Sequence, residues 1–472
     1  MMILLTHTNL SKLKFCFYAI FIYILALWPT AGALALIKPT YSGSGYIFNR
    51  VYQDTEDDNP YEKQQDIEAR IRLENKLKFE DCGLSVKINL EGRYEILLNE
   101  GTDKEGDIFL KEAYFKIEKP KFSLALGRQI VSWGKLDEVV VLDRLSPQEY
   151  KRFILYGKEE RKIPQAMLKF NYFGNGYRFE TIVLPVFKAS DVRFFGSDWS
   201  IYNHLLDYIK DGKYPIVVKD TVGRIKIKED HNLNSKSLDN IQVGLRLRSK
   251  ISDIDYGLYY MNLFHSIATL RENTTTGNIL KRFINFPTED NLLALVALGP
   301  TDRDLTLILE HPRTQIIGID AETVLNTYGI RAELAMCLEQ PYLRDDFAYT
   351  QKDTLTIGIG LDHTTPGEFY FNIQFIENCI LGYEPLFPDE RNSHQVNLNL
   401  SQNFFRDKFI FTLKHGYNLS YRDWMLNPKL TYKIKPEFEL SLSGFIFEGG
   451  ATTLFGRFRN KDLVYLEIRY RF

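Results

Sequence analysis

The sequence predicts a transmembrane antiparallel up-and-down β-barrel, and three observations carry that prediction. Apolar and polar residues alternate with period two over one stretch after another. The links between stretches switch between tight and long through the first two-thirds of the chain. The last stretch alternates up to a terminal aromatic, Phe472.

The N-terminus reads as a secretion signal spanning residues 1–35. Lys12 and Lys14 precede an apolar stretch, Phe15 to Trp28, of 14 residues. Pro29 follows, then the small-residue sites Ala31-Gly32-Ala33 and Ala33-Leu34-Ala35, the order that signal peptidase reads. The stretch is short for a membrane anchor, which needs about 20 apolar residues. Cleavage takes two of the 59 basic residues and none of the 61 acidic ones, leaving 57 against 61. So even a balance excludes nucleic acid as an expected partner. Three cysteines remain (Cys82, Cys337, Cys379), an odd number without CxxC spacing, so no disulfide framework or zinc site is indicated.

The first strands show the alternation best. From Ile67 the odd positions read Ile67, Ala69, Ile71, Leu73, Asn75, Leu77 and Phe79. The even ones read Glu68, Arg70, Arg72, Glu74, Lys76 and Lys78. After Glu80-Asp81-Cys82-Gly83 the pattern resumes on even positions, from Leu84 to Ile96. Strands of this length exceed the 5–6 residues usual in soluble sheets and suit a tilted crossing of a bilayer. Eighteen strands are expected, near 42–52, 66–79, 84–96, 108–118, 122–131, 164–173, 177–188, 240–250, 255–265, 313–323, 328–339, 354–362, 369–380, 394–404, 409–418, 423–433, 437–447 and 462–472; sixteen is the alternative. An even count with short periplasmic turns, long outer loops and both termini periplasmic is the bacterial layout. The long loops are 132–163, 189–239 and 266–312. At the C-terminus Val464, Leu466, Ile468, Tyr470 and Phe472 alternate, and Tyr470 with Phe472 resembles the signal read by the outer-membrane assembly machinery.

A barrel of this size leaves a lumen too wide for its own side chains to fill. With apolar positions facing outer-membrane lipid, Arg70, Arg72, Lys87, Arg93, Arg246 and Arg248 are expected on the lumen wall, interleaved with Glu68, Glu74, Glu91 and Glu95. Mixed signs imply a hydrated, weakly selective passage. Loop 132–163 is unusual for an outer loop because Val139 to Leu142 is an apolar run. Folding inward would bury that run, so the loop is expected to narrow the lumen. Its candidate lining groups are Trp133, Lys135, Asp137, Asp143, Arg144, Lys151 and Arg152.

Leu126-Gly127-Arg128-Gln129, Trp133-Gly134-Lys135 with Asp137, Leu142-Asp143 and Leu145-Ser146-Pro147 together resemble the signature of a widespread family of Gram-negative outer-membrane barrels known as a domain of unknown function. Gly318-Ile319-Asp320, Arg331-Ala332-Glu333, Gly360-Leu361-Asp362, Tyr370 to Phe375 and Leu454 to Phe458 match its style. Ser146 departs from the usual Asn and Glu149 from a common Asp. The resemblance implies a porin-like channel and supplies no substrate.

Catalysis is not expected. The histidines are scattered, and neither HExxH nor GxSxG occurs. Asp54, Glu56, Asp57 and Asp58 lack the glycine and closing glutamate of a calcium loop and read as a solvated turn. The expected function is passive passage of small or medium hydrophilic solutes, with no cofactor. The rivals are a non-conducting adhesin or scaffold and an exporter of a polymer or hydrophobic substrate with a periplasmic partner. A homo-oligomer stays open, since no interface is legible.

Overall fold

The computed structural model describes residues 40–55, 65–79, 83–98, 103–193, 199–201, 226–229, 238–271, 279, 282, 286, 288–297, 306–343, 349–385, 387 and 389–472. The signal segment 1–35 lies outside them, as do Glu56, Asp57, Asp58 and Cys82.

Among the described residues twenty-one strands form, in chain order β1 Thr40–Asp54, β2 Gln65–Phe79, β3 Leu84–Leu98, β4 Asp103–Glu118, β5 Phe122–Gln129, β6 Gln165–Phe173, β7 Tyr177–Leu184, β8 Lys226–Glu229, β9 Gln242–Ile251, β10 Ile254–Phe264 and β11 Thr269–Arg271. They continue as β12 Thr306–Glu310, β13 Arg313–Leu325, β14 Tyr328–Leu343, β15 Tyr349–Thr364, β16 Phe369–Ile380, β17 Asn392–Phe404, β18 Phe409–Asn418, β19 Asp423–Lys435, β20 Phe438–Glu448 and β21 Leu463–Arg471. Eighteen of them make one sheet in which each pairs antiparallel with its neighbour in sequence, β8, β11 and β12 excepted. β1 pairs with both β2 and β21, so the sheet closes on itself. Closure matters physically: it leaves no unpaired backbone edge, which lipid could not satisfy.

All eighteen expected barrel strands form. Their ends differ most at β4, which begins at Asp103, and β15, which begins at Tyr349, while β7 stops early at Leu184. β8, β11 and β12 form a separate small sheet bridging the two longest outer connections. That sheet, and the helix Glu289–Val296, had no period-two signature to announce them.

The links after β2, β4, β6, β9, β13, β15, β17 and β19 are tight and share one end of the barrel. They carry the left-handed residues such turns need, among them Gly83, Gly176, Ser252, Asn326 and Glu368. The pleat sorts the faces. In β21, Val464, Leu466, Ile468 and Tyr470 are 41–44% exposed, whereas Leu463, Tyr465 and Glu467 are buried. Ile317 and Ile319 point out of β13, while Ile316 and Asp320 point in. The outward set is an apolar band with no protein over it, as a bilayer requires. Among the described residues no helix is long and apolar enough to cross a membrane; the strands make the crossing.

Candidate functional site

The lumen is crossed by the connection between β5 and β6. Its first half, residues 131–145, seats on the inner faces of β6, β7, β9, β10, β13, β14, β15 and β16. Val131, Trp133, Leu136, Val141, Leu142 and Leu145 bury themselves against Met167, Ile182, Leu184, Tyr259, Met261, Leu263, Ile316, Ala335, Cys337 and Ile376. Wall glycines make room for them. A Cβ on Gly244 would strike the Trp133 ring, one on Gly318 would strike Leu142, and one on Gly358 or Gly360 would strike Leu136.

Polar groups on the wall hold the backbone of the same half. The Glu333 carboxylate accepts N–H bonds from Lys135, Leu136 (2.7 Å), Val141 (2.8 Å) and Leu142 (2.9 Å). Four otherwise orphaned buried donors are thus satisfied by one side chain. The Gln374 Oε1 accepts from Glu138 N (3.2 Å) and Val139 N (3.0 Å). Gly134, at φ +90°, brings its backbone so close to Glu333 that a side chain would collide with the carboxylate. The glycine of the Trp133-Gly134-Lys135 motif is therefore required twice, for conformation and for contact.

The candidate lining residues divide between two places. Trp133 donates its indole N–H to Glu180 (2.6 Å), whose other partners include Arg246 (3.0 Å). Lys135 pairs with Glu322, and Asp137 with Arg331 (2.6 Å), which also meets Asp362 (2.5 Å). Asp143 is buried, accepts from Trp133 N (3.2 Å) and pairs with Lys162 (2.7 Å). Burial raises its carboxyl above the ordinary value, and Lys162 opposes that rise. Arg144 turns back to the Val141 carbonyl (3.0 Å). Lys151 and Arg152 belong to the second half, where they pair with Asp191 (3.4 Å) and Asp66 (3.1 Å).

That second half, residues 150–161, lies against the opposite wall. Phe153 and Leu155 enter an aromatic cluster with Tyr52, Trp199, Phe447, Phe455 and Phe458. Beyond them the helical turn Lys158–Arg161 points Glu160 at Arg50 (3.8 Å) and Arg469 (3.5 Å). Burial alone would raise the Glu160 carboxyl, but the guanidiniums of Arg50, Arg70, Arg469 and Arg72 pull it down to about 2.

The wall residues expected to line water are mostly covered. Arg70 is 1% exposed and pairs with Glu68 (2.8 Å) and Glu91 (3.5 Å). Arg72 pairs with Glu91 (2.5 Å) and Lys87 with Glu112 (2.7 Å). Arg246 stacks over the Trp133 ring at 5.2 Å. Arg248 sits apart, in a crevice near the short turns with Arg178 and Asp255. Arg93 is in β3, and its side chain lies outside the described residues. Tyr470 faces outward, and Phe472 exchanges backbone bonds with Gly45 (2.9 and 3.0 Å), tying the C-terminus to β1.

Sequence reading missed Glu333, Gln374, Glu180 and Glu160 as holders of the segment. A signal existed. Of the residues quoted above only for their style, Gly318 and Gly360 are notches, Glu333 and Arg331 clamps, and Asp320 and Asp362 bond the wall residues Tyr259 and Arg331. The inward apolar patch was legible too, because alternation lapses into unbroken apolar runs at Ile182 to Leu184, Leu258 to Met261 and Ile316-Ile317, as in strands buried on both faces.

Residues 46–433 match the profile of the family described as "Protein of unknown function (DUF1302)". No curated protein matches the chain. Among solved structures the chain is similar to OccK2 (OpdF) of Pseudomonas aeruginosa, with 10% identity, TM-score 0.49, and coverage of 91% of this chain and 97% of that one. It is also similar to OccK5 (OpdH) of the same organism, with 11% identity, TM-score 0.47 and the same coverages. OccAB3 of Acinetobacter baumannii is similar at 10% identity and TM-score 0.47, covering 92% of this chain and 99% of that one. The barrel's own closure and lipid-facing band make it a porin-like barrel of the bacterial outer membrane.

Proposed function

The chain belongs to the DUF1302 family, and we propose that it is a passive channel for small or medium hydrophilic solutes whose narrowest part is set by residues 132–163. The observation that carries this reading is the inward course of that segment, which touches both walls of an 18-stranded lumen. A barrel of this width is open unless something fills it. A filler held by its own wall then decides what passes. The two-sided charge along the segment, with Lys135, Asp137 and Arg152 beside wall acids and bases, suits hydrated solutes over greasy ones.

Deletion of 136–150 tests it in planar bilayers. The expected result is a several-fold rise in single-channel conductance over the full chain. Unchanged conductance would refute a constricting role for the segment, and silence of both proteins across a range of salts would favour the non-conducting scaffold. Tyr470 and Phe472 are proposed to carry the assembly signal, on the strength of their place at the closing strand.

A further inference from the structure

The arginine wall behind Glu160 carries more positive charge than the wall itself neutralises. Arg50, Arg70, Arg72 and Arg469 converge there with Lys111, whose ammonium donates to the Glu160 carbonyl (3.0 Å), and with Lys429 in electrostatic reach. Among the described residues the wall offers three carboxylates in return, Glu68, Glu91 and Glu467. Among the described residues six cations against three anions leave an excess that the segment answers with Glu160, and with Glu149 only at Lys111.

Hydrogen bonding is incomplete in the same place. The Arg70 side chain is fully buried, yet its Nε has no hydrogen-bond partner among the described residues. A buried donor left unmade is costly, commonly about 1–3 kcal/mol. Rings prepare the guanidiniums for a planar ligand. Arg50 lies 4.5 Å from the Phe48 centroid, Arg70 4.5 Å from Tyr156, and Arg469 5.0 Å from Phe48. Stacked guanidiniums hold their fork geometry, which matches a carboxylate in bidentate fashion. Tyr156 and Glu160, the two groups that cover this wall, come from the segment and not from the barrel.

We propose that this wall is a binding site for small organic carboxylates, and that Glu160 is a tethered stand-in which an incoming carboxylate displaces. The proposal rests on the channel reading for its role in transport, though not for binding itself. An entering carboxylate takes over the Arg50 and Arg469 contacts, frees Glu160 and Tyr156, and completes the bonding of Arg70. The barrel thereby selects anions with a carboxyl group over neutral solutes of equal size.

The full chain in detergent or bilayer, with succinate as the probe and glucose as the neutral control, tests the site in two ways. Succinate is expected to bind by calorimetry and to block the potassium chloride current, while glucose does neither. Glu160→Gln, which removes the competitor's charge and little of its shape, should tighten succinate binding about tenfold. Arg469→Gln should weaken it about tenfold, with heat-modifiable migration showing that the barrel has folded. Equal effects of succinate and glucose on current, or succinate affinity unmoved by Glu160→Gln, would overturn the site while leaving the channel intact. Binding with the predicted response to Glu160→Gln but without any current would uphold the site and refute conduction.

Discussion

The two halves of the inward segment are held by opposite means. Residues 131–145 lie in a dry seat cut to their shape, with glycine notches for Trp133, Leu136 and Leu142 and one carboxylate, Glu333, for four backbone donors. Residues 150–161 rest on rings and on an over-charged wall, where Glu160 has exchangeable partners. Packing of the first kind is specific and resists rearrangement. Charge contact of the second kind can be taken over by any ligand of the same sign. The difference assigns anchoring to the first half and responsiveness to the second.

The largest expected effect comes from breaking the anchor. Glu333→Leu orphans the buried N–H groups of Lys135, Leu136, Val141 and Leu142. Hydrogen bonds to a charged group contribute about 1.5–3 kcal/mol each and do not simply add, so a loss of about 3–5 kcal/mol is expected. Denaturant unfolding in detergent reads the loss, and trypsin should then cut at Lys135 or Arg144, sites the parent protects. Protection in the variant equal to the parent would remove the distinction between the halves.

Acid separates the halves more gently. Glu160 titrates below its ordinary value, so its contribution is complete above about pH 4.5 and fades as pH falls towards about 2. That contribution is at most about 3 kcal/mol. Asp143 has the reverse sign, because burial raises it and protonation is then easier in the folded state. Its share weakens as pH rises through and above its ordinary value of 3.8 and recovers on acidification. Single-tryptophan variants report each half, with Trp133 in the seat and Trp199 beside Phe447 and Phe458. Between pH 5 and 3 the emission of Trp199 should shift first; an earlier shift of Trp133 would reverse the assignment.

The smallest effect is expected at Asp137→Asn. Its carboxylate is 43% exposed and meets Arg331, which keeps Glu322 and Asp362 as partners. Exposed pairs contribute about 0.2–1 kcal/mol, so stability should move by less than about 1 kcal/mol. A larger loss in thermal unfolding would mean that the anchor depends on charge as well as on shape.

What the sequence by itself determined was the barrel: eighteen strands, their order and the face each residue takes. Period-two patterning and turn chemistry are local, and each strand pairs with its sequence neighbour, so no distant information was needed. The oddity of Val139 to Leu142 was visible for the same local reason. Only the tertiary structure decided what the segment meets across the lumen. Glu333 lies almost two hundred residues from Leu136, and Glu160 more than three hundred from Arg469. Closure of the sheet brings them together, and no spacing along the chain records which inward positions then face one another.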